Sequence, residues 1–227
     1  NGNILMKYAT GDTKVGGIAG LMQSDAAGTI QNCTNNAKVE VSSPKHTAYI
    51  MLGGVAGYNK KGTLQNVTNK GEVTLSGSTA GRGFISGVCS ASEYGLTGLV
   101  NEGTVTITSS SNLVGLCLGG CVGYSKGAVK KSTNKGVILY QGRTDMSTAM
   151  KDDGSAVSKG NEVFCVGGVV GWSAASANTE LTNDATATLN LGGYFTASKD
   201  DCYGWTSIGG VAGRFSSGTH SKLYNNG

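Results

Sequence analysis

The chain has 227 residues, of which 38 are glycine, one is proline and 14% are charged, with a formal net charge of +4. Glycine at this level, without a Gly-x-y period or abundant proline, excludes collagen, and an apolar fraction of 38% spread over the whole length argues against disorder. The longest apolar stretch, Leu113 to Tyr124, is broken by glycine and falls short of the about 20 residues a membrane-spanning helix needs. The opening NGNILMKYATG lacks the charged and apolar regions of a signal peptide, so a chain starting at Asn1 without methionine is expected to be a mature product or an excised piece.

Read from the N-terminus, the chain repeats. VGGIAG, LGGVAG, ISGVCS, LGGCVG, VGGVVG and IGGVAG place a second glycine at Gly17, Gly54, Gly87, Gly120, Gly168 and Gly210. Each is followed by an asparagine turn: NNAKVEV from Asn35, NKGEVTL from Asn69, NEGTVTI from Asn101, NKGVILY from Asn134, NDATATL from Asn183 and NNG from Asn225. Six units of about 33 residues occupy residues 1–227, leaving nothing for a second domain.

Apolar residues recur in columns. Val15, Leu52, Ile85, Leu118, Val166 and Ile208 precede the second glycine by two positions; Ile18, Val55, Val88, Cys121, Val169 and Val211 follow it directly. After the turn, Val39, Val73, Val105 and Ile138 alternate with polar partners such as Glu40, Thr74 and Thr106. Period-two runs punctuated by glycine and asparagine predict short strands and no long helix. Units that cannot bury a face alone must stack, so the fold expected is an all-β, right-handed parallel β-helix, a solenoid of six repeats with two loop insertions. A ladder of Asn35, Asn69, Asn101, Asn134, Asn183 and Asn225 is expected along one edge, amide bonded to amide. The glycine two residues after the asparagine reads as a turn position with positive φ.

The stretch GGVAGYNKKGTLQNVTNKGEVTL, from Gly53 to Leu75, resembles the GLUG motif, G-G-x-x-G-x-N-x-x-G-x-Φ-x-N-x-x-x-x-G-x-V. The other units carry it in weaker form, with Ser86 and Ser90 replacing glycines in the third and Ser176 in the fifth. That repeat occurs in large bacterial surface and secreted proteins, including adhesin-like proteins of Bacteroidetes. The resemblance implies a solenoid at the cell surface or outside the cell, and brings no catalytic residues with it.

Catalytic chemistry finds little material. His46 and His220 lie in separate units and read as solvated turn residues, which leaves a Ser/His/Asp or Cys/His arrangement without a base. The six cysteines, Cys33, Cys89, Cys117, Cys121, Cys165 and Cys202, have no zinc-type spacing. Cys117 and Cys165 share a column in adjacent coils and are candidates for a disulfide, against the alternative of buried thiols used as small apolar residues. Glu40, Glu72, Glu102, Glu180 and Asp184 fall in different columns, whereas a glycosidase needs converging carboxylates. The lysines Lys126, Lys130, Lys131 and Lys135 lack interleaved aromatics, so nucleic acid is not expected as a partner. Leu21, Tyr58, Ala91, Tyr124, Trp172 and Arg214 form an irregular corner stack that reads as packing or as a sugar-stacking strip. Sequons stand at Asn32-Cys-Thr and Asn66-Val-Thr.

Two insertions, roughly Gln141 to Glu162 and Gly192 to Tyr203, break the period at the same point of neighbouring units. They concentrate the candidate binding residues Arg143, Asp145, Asp152, Asp153, Tyr194, Phe195, Tyr203 and Trp205. Asp152, Asp153, Asp200 and Asp201 would suit calcium, although solvated acids beside Lys151 and Lys199 are the simpler reading, and no cofactor is expected. The expected function is a non-enzymatic extracellular scaffold or adhesin whose loops meet a surface glycan or protein, or which stacks head to tail on itself. The alternative is a module that binds or acts on polysaccharide laid along the solenoid. The phase of the two ends, Asn1-Gly2 matching Asn226-Gly227, reads as a piece of a longer array or as a filament subunit.

Overall fold

The computed structural model describes residues 2–7, 11–23, 28–42, 48–77, 81–108, 112–113, 115–145, 163–192, 194–196 and 205–227. Among them there is no helix, and the strands form four long parallel sheets and one short one. Each coil passes through the four long sheets in turn. Sheet I holds Ile4–Met6, Val39–Ser42, Val73–Ser76, Val105–Ile107, Val137–Tyr140 and Thr188–Leu191. Sheet II holds Thr13–Gly16, Ile50–Gly53, Arg82–Ser86, Gly115–Gly119, Val163–Gly167 and Trp205–Gly209. Sheet III runs through Ala19–Met22, Ala56–Asn59, Cys89–Ser92, Val122–Ser125, Val170–Ser173 and Ala212–Phe215. Sheet IV contains Gly28–Gln31, Thr34–Asn35, Gly62–Asn69, Leu96–Asn101, Val129–Asn134, Thr179–Asn183 and Ser221–Asn225. Every inter-coil pairing is parallel and joins equivalent residues, for instance Val39 to Val73 to Val105 to Ile138. The chain is a parallel β-helix.

The core is double. Sheets I and II enclose one cluster, built on Val39, Val41, Leu52, Leu75, Ile85, Leu118, Tyr140 and Phe164. Sheets III and IV enclose another, built on Val55, Leu64, Val88, Leu96, Cys121, Val129, Val169 and Leu181. Leu52 and Val55 are both fully buried, yet face different clusters across the Gly53-Gly54 corner. The corner folds sheet III back onto sheet II, backbone against backbone. A methyl group built on Gly171 would fall 2.7 Å from the Leu118 nitrogen, and one on Gly213 2.6 Å from the Val166 nitrogen. Only a residue without Cβ permits that approach. Among the terminal members of the inward columns, Ile18 and Ile208 are 44% and 51% exposed, whereas Val15 is buried.

The left-handed backbone positions differ from the sequence expectation. Gly71, Gly103 and Gly136, two residues after the ladder asparagines, are not left-handed. They are glycine because a methyl there would collide with the preceding coil: one on Gly103 would lie 2.8 Å from the Asn69 amide nitrogen, and one on Gly136 2.6 Å from that of Asn101. The positive φ falls instead three residues before each ladder asparagine, at Asn32 (53°), Asn66 (50°), Gly98 (68°), Lys131 (49°), Glu180 (58°) and Lys222 (53°). Asparagine and glycine tolerate this region; lysine and glutamate carry strain there, which the in-register sheet holds in place, with strands on both sides of Lys131 and Glu180 and on one side of Lys222. The two sequon asparagines, Asn32 and Asn66, are exposed at this bend, and the Asn66 amide donates to Asn32 Oδ1 at 3.4 Å.

Candidate functional site

The ladder asparagines end the strands of sheet IV and point inward against the double-glycine corner. The Nδ2 of each donates to the Oδ1 of the next coil: Asn35 to Asn69 at 2.9 Å, Asn69 to Asn101 at 3.1 Å and Asn101 to Asn134 at 2.9 Å. Asn134 continues to Asn183 at 3.2 Å and Asn183 to Asn225 at 3.0 Å. The second amide proton closes a local turn, as in Asn101 Nδ2 to the Gly103 carbonyl at 3.0 Å. The second glycine of each corner supports the ladder, since a methyl on Gly17 would sit 2.6 Å from Asn35 Cγ. That contact is why the two motifs recur together. Asn101→Ala should leave the Asn69 donor and the Asn134 acceptor one partner short in a dry interior, at about 2–4 kcal/mol. Urea unfolding would read this as a lower midpoint, whereas Asn36→Ala on the exposed side should be silent.

The insertions begin as strands. Arg143–Asp145 and Tyr194–Thr196 pair with each other in parallel register, Arg143 opposite Tyr194, Thr144 opposite Phe195 and Asp145 opposite Thr196. Asn112–Leu113 joins as the third strand, with Asn112 opposite Arg143. A small fifth sheet therefore grows between sheets I and II across three coils, where a loop was expected in two. Its first strand lies in a coil of ordinary length, so spacing gave no sign of it. Trp205 belongs to the wall, opening the sheet II strand opposite Val163. Asp152, Asp153 and Tyr203 lie outside the described residues, as do Asp200 and Asp201. Among the described residues no group of three or more His, Cys, Asp or Glu could hold a metal.

A seam along the junction of sheets II and III escaped the sequence reading in part. Tyr49 stacks with Phe84 at 5.8 Å between ring centres, Phe84 meets Tyr124 at 5.6 Å, and Tyr124 meets Trp172 edge-on at 5.1 Å. Arg82 lies 5.9 Å from the centre of the Tyr49 ring and donates to its hydroxyl at 3.2 Å; Arg214 lies 4.8 Å from that of Trp172. Tyr124, Trp172 and Arg214 were visible as one column. Phe84 belongs to sheet II and Tyr49 immediately precedes the sheet II strand Ile50–Gly53, and they reach them only because sheet III folds back. Beside the seam, the Tyr58 hydroxyl donates to Glu93 at 2.6 Å and Lys126 pairs with Glu93 at 3.3 Å. The tyrosine, then the lysine, hold the Glu93 carboxyl below its ordinary range, and burial together with Glu93 pushes the Tyr58 hydroxyl up.

His220 is engaged: its ring stacks on Phe215 at 4.0 Å, and its Nδ1 accepts the Asn178 backbone N–H at 3.1 Å. His46 lies outside the described residues. Ser86 stands in a glycine column with a buried hydroxyl that has no hydrogen-bond partner among the described residues, while Ser90 Oγ donates to the Gly57 carbonyl of the preceding coil. Burial pushes the Cys89 and Cys121 thiols up to about 12. Cys117 and Cys165 are free thiols, buried and opposite one another in sheet II.

Comparisons with protein-family models, with curated proteins and with solved structures found no match.

Proposed function

We propose that the chain is a non-enzymatic extracellular scaffold of the adhesin-like, GLUG-repeat kind, a rod whose paired insertions meet a surface glycan or protein. The observation that carries the reading is the fifth sheet. The β-helix is continuous and in register through six coils, and at one place it sends out strands from three successive coils that lead into both long insertions. Regular strands hold the bases of these segments, which is how rigid scaffolds usually present binding loops. Interior polar groups such as the ladder asparagines are spent on coil-to-coil bonding, a structural use. Among the described residues no helix is long and apolar enough to cross a membrane.

A second reading, binding of polysaccharide along the rod, draws on the half-buried ladder of Tyr49, Phe84, Tyr124 and Trp172, since amphipathic rings suit sugar faces. One experiment separates the two. Residues 146–162 and 197–204 are replaced by short turns, and intact and shortened chains are applied to an array of neutral and acidic polysaccharides and mucin-type glycans. The scaffold reading expects an unchanged β-type circular dichroism spectrum and loss of array binding in the shortened chain. Binding that survives the deletion and disappears with Trp172→Ala moves the site to the seam. Release of new reducing ends from any polysaccharide overturns the non-enzymatic assignment. Head-to-tail self-association is the third partner class, and concentration-dependent sedimentation of the intact chain tests it.

A further inference from the structure

The sheet II positions that alternate with the first core carry Lys14, Met51, Phe84, Cys117, Cys165 and Ser207. On a solenoid with one core they would face solvent. Here sheet III folds back against this face: Lys14, Met51, Phe84 and Ser207 are half-buried, and Cys117 and Cys165 are 1% and 0% exposed. The two cysteines are direct partners across one parallel strand pair, Cys117 opposite Cys165. Strands so paired lie about 4.8 Å apart, within the roughly 4.4–6.8 Å that a disulfide spans between Cα atoms. The hydrogen bond that Cys117 donates to Cys165, together with burial, holds the Cys117 thiol well above its ordinary range, while accepting that bond, with the Arg214 guanidinium nearby, holds Cys165 below it. The chain between them contains the longest insertion of the molecule, so the junction of the fourth and fifth coils is the one least constrained by chain length. It is also where repeats of similar sequence could slip. A shift of one coil would set Cys165 opposite Phe84.

We propose that Cys117 and Cys165 are a cross-linking site, joined by a disulfide as the fifth coil docks on the fourth, which fixes the register of the rod at the base of the insertion. The oxidant is a small disulfide of the glutathione class. The Cys165 thiolate attacks one of its sulfurs, forming a mixed disulfide and releasing one small thiol. The Cys117 thiolate then attacks the Cys165 sulfur and releases the second. Two cysteine thiols are oxidised, one small disulfide is reduced to two thiols, and the two cysteine protons end on those thiols. Closure precedes burial, because the docked pair is covered.

The test refolds the full chain in a buffer of reduced and oxidised glutathione, and in parallel under a reducing agent, followed by denaturation and alkylation. The expected result is four of the six cysteines alkylated in the oxidised sample, which is then lighter than the fully alkylated reduced sample by two alkyl groups, and a peptide map joining Cys117 to Cys165. The oxidised chain should melt several degrees above the reduced one. Cys165→Ala should lose both the mass change and the shift, and Cys33→Ala should keep them. Alkylation of all six cysteines after oxidative refolding, or a map joining Cys117 or Cys165 to any other cysteine, overturns the proposal.

Discussion

Gly120→Ala is expected to unfold the solenoid at its fourth coil. A methyl on Gly120 would overlap the Gly168 carbonyl of the next coil and the side-chain amide of Asn134, neither of which has room to retreat. The carbonyl already accepts the Gly120 N–H at 3.1 Å, and the amide is held by bonds to Asn101 and Asn183. Overpacking ordinarily costs about 1–3 kcal/mol, and a collision with fixed backbone on one side and a buried ladder on the other exceeds that. Domains have only about 5–15 kcal/mol to lose. Urea unfolding should therefore find the variant largely unfolded in water or shifted by more than about 3 kcal/mol. Gly11→Ala, where an added methyl meets nothing within 4 Å, should unfold like the parent. Equal midpoints for the two variants would show that the double-glycine corner is not closely packed.

Val55→Asp carries the other large effect. Val55 has no exposed surface, belongs to the second core, and stands between Ile18 and Val88, its carbonyl accepting the Ile18 N–H at 3.0 Å and its N–H donating to Val88 at 2.9 Å. An aspartate there would be a buried carboxylate among apolar neighbours, a cost of about 3–5 kcal/mol. The same burial raises its folded pKa above the unfolded value. Stability of the variant relative to the parent is thus best below the unfolded carboxyl range and falls as the pH rises through the folded pKa. Melting of variant and parent between pH 3 and 7 should show the gap widening with pH. A gap that is small and flat, matching that of Thr63→Asp on the exposed side of sheet IV, would mean the column faces outward.

Much of the architecture was legible because the stack repeats. Like residues one unit apart had to lie on one another, so the columns through Leu52, Val55 and Val73 identified inward faces, and these three residues are buried. The columns could not say that Leu52 and Val55 face different cores, since that depends on the fold of the double-glycine corner. Backbone conformation was read less well. Asn-Lys-Gly at Asn69 has the composition of a left-handed turn, yet its glycine answers to the neighbouring coil, and the left-handed residue lies at Asn66. Lys131 and Glu180 occupy the same bend with no local preference for it, so composition alone would not have found the column.

The candidate site divides in the same way. Unequal spacing located the two insertions, because an interruption of a constant period is visible in one dimension. The third strand at Asn112–Leu113 leaves no such trace, nor does the meeting of Tyr49 and Phe84 with Tyr124 and Trp172. By itself, the sequence determined what translation along the axis requires: an all-β stack, its period, its inward columns and the coil-to-coil alignment of its asparagines. Those follow from burying like on like at the strand spacing. The tertiary structure alone decided what happens within one turn of the coil, namely the double core, the seam and the burial of Cys117 and Cys165. These depend on which sheets fold against each other, and every coil carries the same answer, so comparing coils cannot reveal it.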